Sequence, residues 1–153
     1  MSKKGPSQDP NQVKGKKGEE EGIDLLKRNG FIEVRKRDGG EKGFDLKANE
    51  KGKQVKIEVK GTENENEIPD MVASEFDLKN KKAPKLVADY LLVVRLRKDG
   101  TGFIAKGAHL LPKKVVDEYA KEHKLKSTIV LSRRLKNDLK DVNFSKKYWI
   151  KKR

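Results

Sequence analysis

Phe44-Asp45-Leu46-Lys47-Ala48-Asn49-Glu50-Lys51-Gly52-Lys53-Gln54-Val55-Lys56-Ile57-Glu58-Val59-Lys60 decides how this chain is read. Two alternating runs, 43–48 and 54–60, flank Asn49-Glu50-Lys51-Gly52, a turn signal. The strand period of two puts Phe44, Leu46, Val55, Ile57 and Val59 toward a core and Asp45, Glu58 and Lys60 on the opposite face. If the hairpin closes through a two-residue loop at Lys51-Gly52, residue i faces residue 103 − i, and Asp45 lies across from Glu58. Carboxylates directly opposite each other repel and need a cation between them, either Lys60 or a divalent metal. Mg²⁺ commonly takes one or two protein carboxylates and leaves its other positions to water and phosphate oxygens. An ion held this way polarises a phosphodiester and lowers the pKa of a bound water. Lys60 could orient or deprotonate that water, or neutralise charge building on the phosphate.

The acid-x-Lys triplet alone carries little information. With 24 acids in a Lys-rich chain, composition predicts roughly five such triplets, and five occur, at Asp45, Glu58, Asp77, Glu122 and Asp138. Only Glu58-Val59-Lys60 ends an alternating strand that a short turn pairs with another acid of the right parity. The same residues would also make an ordinary half-exposed sheet face in a charge-rich protein.

Outward from the hairpin, Phe31–Arg37 alternates and ends at Asp38-Gly39-Gly40, so three strands form an antiparallel meander. Before them a helix is expected from Gly18, with Glu19, Gly22, Ile23 and Leu26 on one face, its Glu run in the first turn and Asn29-Gly30 as C-cap. After them come an acidic loop over 61–70, a weaker helix over 72–82 and a buried strand at Tyr90–Val94. Asp99-Gly100 turns that strand into a partner at 102–105. A helix follows over 112–123 with Pro112 near its first turn, then a β-branched run at 127–131. The sum is an α/β protein with a mixed sheet flanked by helices. Three segments are expected: a solvated basic arm over 1–17, a folded domain over 18–132 and a basic extension over 133–153.

Composition narrows the function. The 153 residues carry 38 Lys and Arg against 24 Asp and Glu, a net charge of +14, with 41% charged and 33% hydrophobic residues. A polyanion is the natural partner, and nucleic acid is the commonest one. The absence of Cys, with only two His, excludes a disulfide framework and a Cys/His zinc site. No apolar run approaches the ~18 residues of a membrane span, and no apolar signal segment follows Met1. Cytoplasmic or nucleoid-associated residence is therefore expected, without a membrane partner.

An early helix glutamate, then Gly43-Phe44-Asp45, a short hairpin and Ile57-Glu58-Val59-Lys60-Gly61-Thr62 resemble the PD-(D/E)XK nuclease superfamily, with its restriction-endonuclease-like fold. The nearest resemblance is to archaeal Holliday-junction resolvases and to the C-terminal domain of NO VEIN-type plant proteins, over about residues 18–97. It implies an αβββαβ core in which Asp45, Glu58 and the Val59 carbonyl ligate Mg²⁺, or Mn²⁺ in its place, and Lys60 is catalytic. It also implies a supplementary helix glutamate, matched by Gly18-Glu19, although Glu20 and Glu21 blur the assignment. The superfamily's Pro before the first acid is replaced by Phe44. Ser74 stands where Asn usually precedes a helix acid, so Glu75 receives no role.

The expectation is a metal-dependent endodeoxyribonuclease acting on DNA rather than RNA, directed by structure or a partner instead of base reading. A homodimer would suit cleavage of two strands. The alternative is a non-catalytic nucleic-acid-binding protein of ribosomal or chromatin type. Residues 1–17 hold five bases and one acid and residues 133–153 nine and two, so the ends carry most of the excess. Backbone-gripping candidates are Lys14, Lys16, Lys17, Thr62, Lys146, Lys147, Trp149, Lys151, Lys152 and Arg153. Thr62 equally suits a strand end. Tyr148-Trp149 among lysines suits stacking on unpaired bases or an apolar anchor for the C-terminus. His109 and His123 read as incidental, and Glu63, Glu65 and Glu67 as a solvated loop that points away from substrate or moves.

Overall fold

A computed structural model describes residues 10–69, 71–79, 84–120, 128–129 and 132–151. Helix α1 (Pro10–Arg28) leads into β1 (Ile32–Lys36), β2 (Leu46–Glu50) and β3 (Lys53–Thr62). Short strands β4 (Met71–Val72), β5 (Phe76–Asp77) and β6 (Lys85–Leu86) follow, then the long β7 (Tyr90–Asp99) and β8 (Gly102–Pro112). Helix α2 (Lys113–Ala120), β9 (Thr128–Ile129), α3 (Ser132–Leu139), α4 (Val142–Tyr148) and β10 (Trp149–Lys151) complete the chain.

The main sheet has the order β1-β2-β3-β7-β8-β10. Only β3 and β7 run parallel; the other neighbours are antiparallel, so the sheet is mixed. The β2–β3 ladder pairs Leu46 with Ile57 and Glu50 with Lys53, the register anticipated from the loop length. Lys51 and Gly52 both take positive φ, 52° and 82°, which a two-residue turn between right-twisted strands requires. Strand β7 is buried on both faces. Leu92 and Val94 join Leu26, Ile57 and Val59 under α1, while Leu91 and Val93 join Met71, Phe76 and Leu135 on the other side.

Several expectations change. Helix α1 starts at Pro10, not Gly18, so residues 10–17 are helical and the Glu run lies mid-helix rather than in a first turn. Gly18 and Gly22 make this helix a close-packing one: a Cβ at Gly18 would stand 3.2 Å from the Gly61 Cα. The helix expected over 72–82 gives way to a single 3₁₀ turn (Ala73–Glu75) between β4 and β5. Phe76 pairs with Leu86 and Met71 with Ile129, so tertiary pairing overrides a weak helical period. The αβββαβ order therefore lacks its second helix among the described residues. Phe44 leaves the face it was assigned, because the chain departs from the strand at Gly43, where φ is +88°, and its ring joins the core opposite α1. Strands β7 and β8 run well past the expected 90–94 and 102–105, since charged Arg95, Arg97, Lys98 and Lys106 hid their length. Pro112 ends β8 instead of opening the helix. Residues 132–151 are not an appendage: Leu135 and Leu139 are buried, and β10 pairs with β8 at the sheet edge.

Candidate active site

The sheet and α1 enclose a cavity of about 630 Å³ lined by Glu19, Asp45, Glu58, Val59, Lys60 and Glu75, with Lys14, Thr62 and Asn64 at its wall. Asp45 lies one residue beyond the last β2–β3 pair. Its N–H donates to Ile57 O at 2.9 Å, and its Oδ2 accepts the Val59 N–H at 2.9 Å. Backbone and carboxylate together tie Asp45 to β3, which anchors it beside Glu58. On β3, period two turns Ile57 and Val59 toward α1 and leaves Glu58 and Lys60 on the cavity side.

The charge balance of the cavity is acidic. Glu58 is buried (4% exposed), and Lys60 Nζ lies 2.7 Å from Glu75 and 3.6 Å from Glu58. Burial first, then the hydrogen bond with Glu75 and the charges of Asp45 and Glu75, push the Glu58 carboxyl far above the usual carboxylate range, and Lys60 offsets only part of this. Two hydrogen-bonded carboxyl groups must share a proton, so Glu58 and Glu75 hold one between them. Glu19 is also raised, by burial and then by Asp45, against Lys36 and Arg37. Burial works against the Lys60 charge, but Glu75, Glu58 and Asp45 outweigh it and hold the ammonium above its usual value. Lys60 is therefore a fixed cation at neutral pH and no base.

Asp45, Glu58, Val59, Lys60 and Glu19 are brought together, as is Thr62, which is buried and whose Oγ1 accepts the Asn64 N–H at 3.1 Å. That bond closes the strand end. The run Glu19-Glu20-Glu21 resolves cleanly: Glu19 lines the cavity, Glu20 is exposed, and Glu21 is buried with its Oε1 accepting the Ala105 N–H. Lys14 reaches the cavity wall but pairs with Glu63 at 3.0 Å. Lys16 is exposed, Lys17 half-buried, and neither lines the cavity. Lys146 and Trp149 lie at a second cavity, Lys147 sits 5.5 Å from the Tyr148 ring centroid, and Lys151 is exposed on the edge strand. Lys152 and Arg153 lie outside the described residues, as does His123.

The acidic loop does not point away. Glu65 and Glu67 pair with Lys106 and Lys136 at 2.6 and 2.7 Å, and Asn64 and Glu67 line the cavity. Sequence reasoning gave no role to Glu75, because Ser74 stands before it in place of Asn, and none to His109, because its buried partner Arg95 is distant in sequence. Arg95 Nε donates to His109 Nδ1 at 3.1 Å, and burial followed by Arg95 lowers the His109 pKa to about 4.

The donor set suits a hard cation: Asp45 and Glu58 line one cavity, and Glu58 holds a proton that a cation would displace. Among the described residues no three Asp, Glu, His or Cys side chains converge as a ready-made metal site. Among the described residues no helix is long and apolar enough to cross a membrane. Comparison with protein-family models, with curated proteins and with solved structures gave no match for this chain.

Proposed function

We propose that this chain is a metal-dependent endodeoxyribonuclease of the PD-(D/E)XK type, with a restriction-endonuclease-like arrangement of its sheet. The observation that carries the reading is the convergence of Asp45, Glu58 and Lys60 in one acidic cavity, where burial and the neighbouring carboxylates keep a proton on Glu58. Asp45, Glu58 and the Val59 carbonyl would hold Mg²⁺, or Mn²⁺ in its place, and such an ion supplies Lewis acidity toward a phosphodiester and an acidified water. Lys60, kept charged by Glu75, offsets negative charge building on the phosphoryl oxygens. Glu19 adds an acceptor that orients water at the cavity mouth. The net charge of +14 supports a nucleic-acid partner, DNA by the resemblance of the motif.

The test incubates the protein with linear, single-stranded, branched and circular DNA in Mg²⁺, Mn²⁺ or EDTA. Cleavage that needs the divalent ion and disappears in Asp45→Ala and Lys60→Ala, both still folded by circular dichroism, is expected. Wild-type-like cutting by either variant would sink the reading. One observation favours a second reading: the Lys60–Glu75 pair gives the acidic cavity an internal counter-ion. A non-catalytic nucleic-acid-binding protein would then bind DNA with a steep salt dependence and cut nothing in any divalent ion.

A further inference from the structure

A second cavity, about 480 Å³, lies between β8, β10 and helices α3 and α4, away from the carboxylates. Its floor is Arg95, only 1% exposed. The guanidinium is held at two corners: Nε donates to His109 Nδ1, and Nη1 donates to the carbonyls of Asn64 and Glu67. The third corner, Nη2, is buried without a hydrogen-bond partner among the described residues. A buried guanidinium N–H left unpaired costs ~1–3 kcal/mol, and this one belongs to a residue that lines the cavity.

The surroundings say which acceptor. Because His109 Nδ1 accepts from Arg95, its proton sits on Nε2 and donates to Ser145 Oγ at 2.8 Å. The Ser145 hydroxyl lines the same cavity. Lys140 and Lys146, both exposed, stand at the rim. Glu65 is the one acid of the lining, and Lys106 neutralises it at 2.6 Å. These donors call for an anion with several oxygens.

The opposite wall is apolar. Trp149 lines it, edge-on to His109 with centroids 5.0 Å apart, together with Leu139 and Val142, the latter 75% exposed. Gly107 makes room for the indole: a Cβ there would fall 2.4 Å from Trp149 Cζ2. An aromatic and aliphatic wall facing a cationic floor fits a flat ring that carries a phosphate.

We infer that this cavity is a nucleotide site, in which Arg95, Ser145, Lys140 and Lys146 take the phosphate and Trp149 with Leu139 and Val142 takes the base. The site stands independently of the nuclease reading. The nucleotide is either free or the unpaired end of a strand, and the two sources share this chemistry.

Trp149 is the sole tryptophan, so its fluorescence reports the site directly. Titration with adenosine 5′-monophosphate is expected to give a saturable change, with adenosine and inorganic phosphate each weaker by about tenfold or more. A 5′-phosphorylated single-stranded tetranucleotide gives the same change, and the tighter of the two ligands names the source. The exposed double substitution Lys140→Gln/Lys146→Gln is expected to weaken binding about tenfold, and Glu58→Gln to leave it unchanged. A flat titration to about 10 mM, which is weaker than ~3 kcal/mol of binding, overturns the inference. So does an equal response to inorganic phosphate, or a response lost in Glu58→Gln and kept in the lysine double variant.

Discussion

Lys60 and Glu75 form an ion pair at 2.7 Å, a closer contact than the 3.6 Å that separates Lys60 from Glu58. One ammonium cannot neutralise Glu75, Glu58 and Asp45 together. Glu75 takes the short contact and Glu58 is left at 3.6 Å, so Lys60 does not fully offset the burial, the Glu75 hydrogen bond and the Asp45 charge that hold the proton on Glu58. The 3₁₀ turn that presents Glu75 is thus as much a part of the site as the hairpin that presents Glu58.

The first prediction concerns stability. The Glu58 pKa is raised on folding above its ordinary 4.5, so the folded chain binds more protons than the unfolded chain above that pH. Its favourable contribution is complete below about pH 4.5 and is lost as pH rises toward the folded value. Glu58→Gln, which mimics the protonated form, should raise the melting temperature of the metal-free protein at about pH 8, by at least ~1 kcal/mol or 2–4 °C. Thermal melts in EDTA between about pH 5 and 9 check it: the wild type should lose more stability with pH than the variant, in which the raised Glu19 carboxyl still contributes. Added Mg²⁺ should stabilise the wild type, by ~2.7 kcal/mol at a hundredfold excess over Kd, with proton release, and should leave Glu58→Gln unmoved.

A second prediction isolates Glu75 as a positioning residue. Glu75 is the strongest influence raising the Lys60 pKa against the opposing effect of burial. Glu75→Gln should let that pKa fall, so the alkaline limb of any cleavage profile moves to lower pH while KM for DNA changes by less than about threefold. A pH–rate profile reads both; an unshifted alkaline limb would show that Glu75 is merely structural.

Much of this geometry was legible in the chain. The hairpin register followed from a two-residue loop and a period of two, and Lys51-Gly52 obeys it. The buried β7 was legible as Leu91-Leu92-Val93-Val94, although Arg95 concealed its continuation by being buried with His109 as partner. Glu75 was not legible as a site residue. Its position depends on Phe76 pairing with Leu86 and Met71 with Ile129, pairings that no local period encodes. The start of α1 was hidden because Lys14, Lys16 and Lys17 read as a solvated arm, whereas Lys14 pairs with Glu63 and its carbonyl packs on Gly61.

That close packing gives a third prediction. A Cβ at Gly61 would fall 2.8 Å from the Lys14 carbonyl oxygen, backbone against backbone. Gly61→Ala should push α1 off β3, destabilise the fold by ~1–3 kcal/mol and withdraw Glu19 from the cavity. Gly15, on the same helix, has nothing within 4 Å of its virtual Cβ. Gly15→Ala should instead stabilise by ~0.5–1 kcal/mol through helix propensity. Denaturant titrations of the two variants check the contrast, and equal effects would refute the close approach.

The last prediction separates grip from fold at the basic ends. Lys16, Lys17, Lys147 and Lys151 have no ion-pair partner among the described residues and line neither cavity. Replacing all four with Gln removes charge at little cost in packing, the contact of Lys147 with the Tyr148 ring being the one named interaction lost. If they neutralise DNA phosphates, the slope of log Kobs against log salt should become shallower by ~0.9 for each phosphate that no longer meets a lysine. Melting temperature should stay within the ~0.5 kcal/mol expected of surface changes. Deleting residues 142–153 should behave differently, because it strips β10 from β8 and uncovers Leu139, Tyr119 and their neighbours in the core. That truncation should unfold the protein or leave it aggregating, so weakened DNA binding by it would report a broken fold. Only the substitution series, read by salt-dependent anisotropy with a fluorescent duplex, measures the electrostatic grip. An unchanged slope would show that the polyanion is held elsewhere.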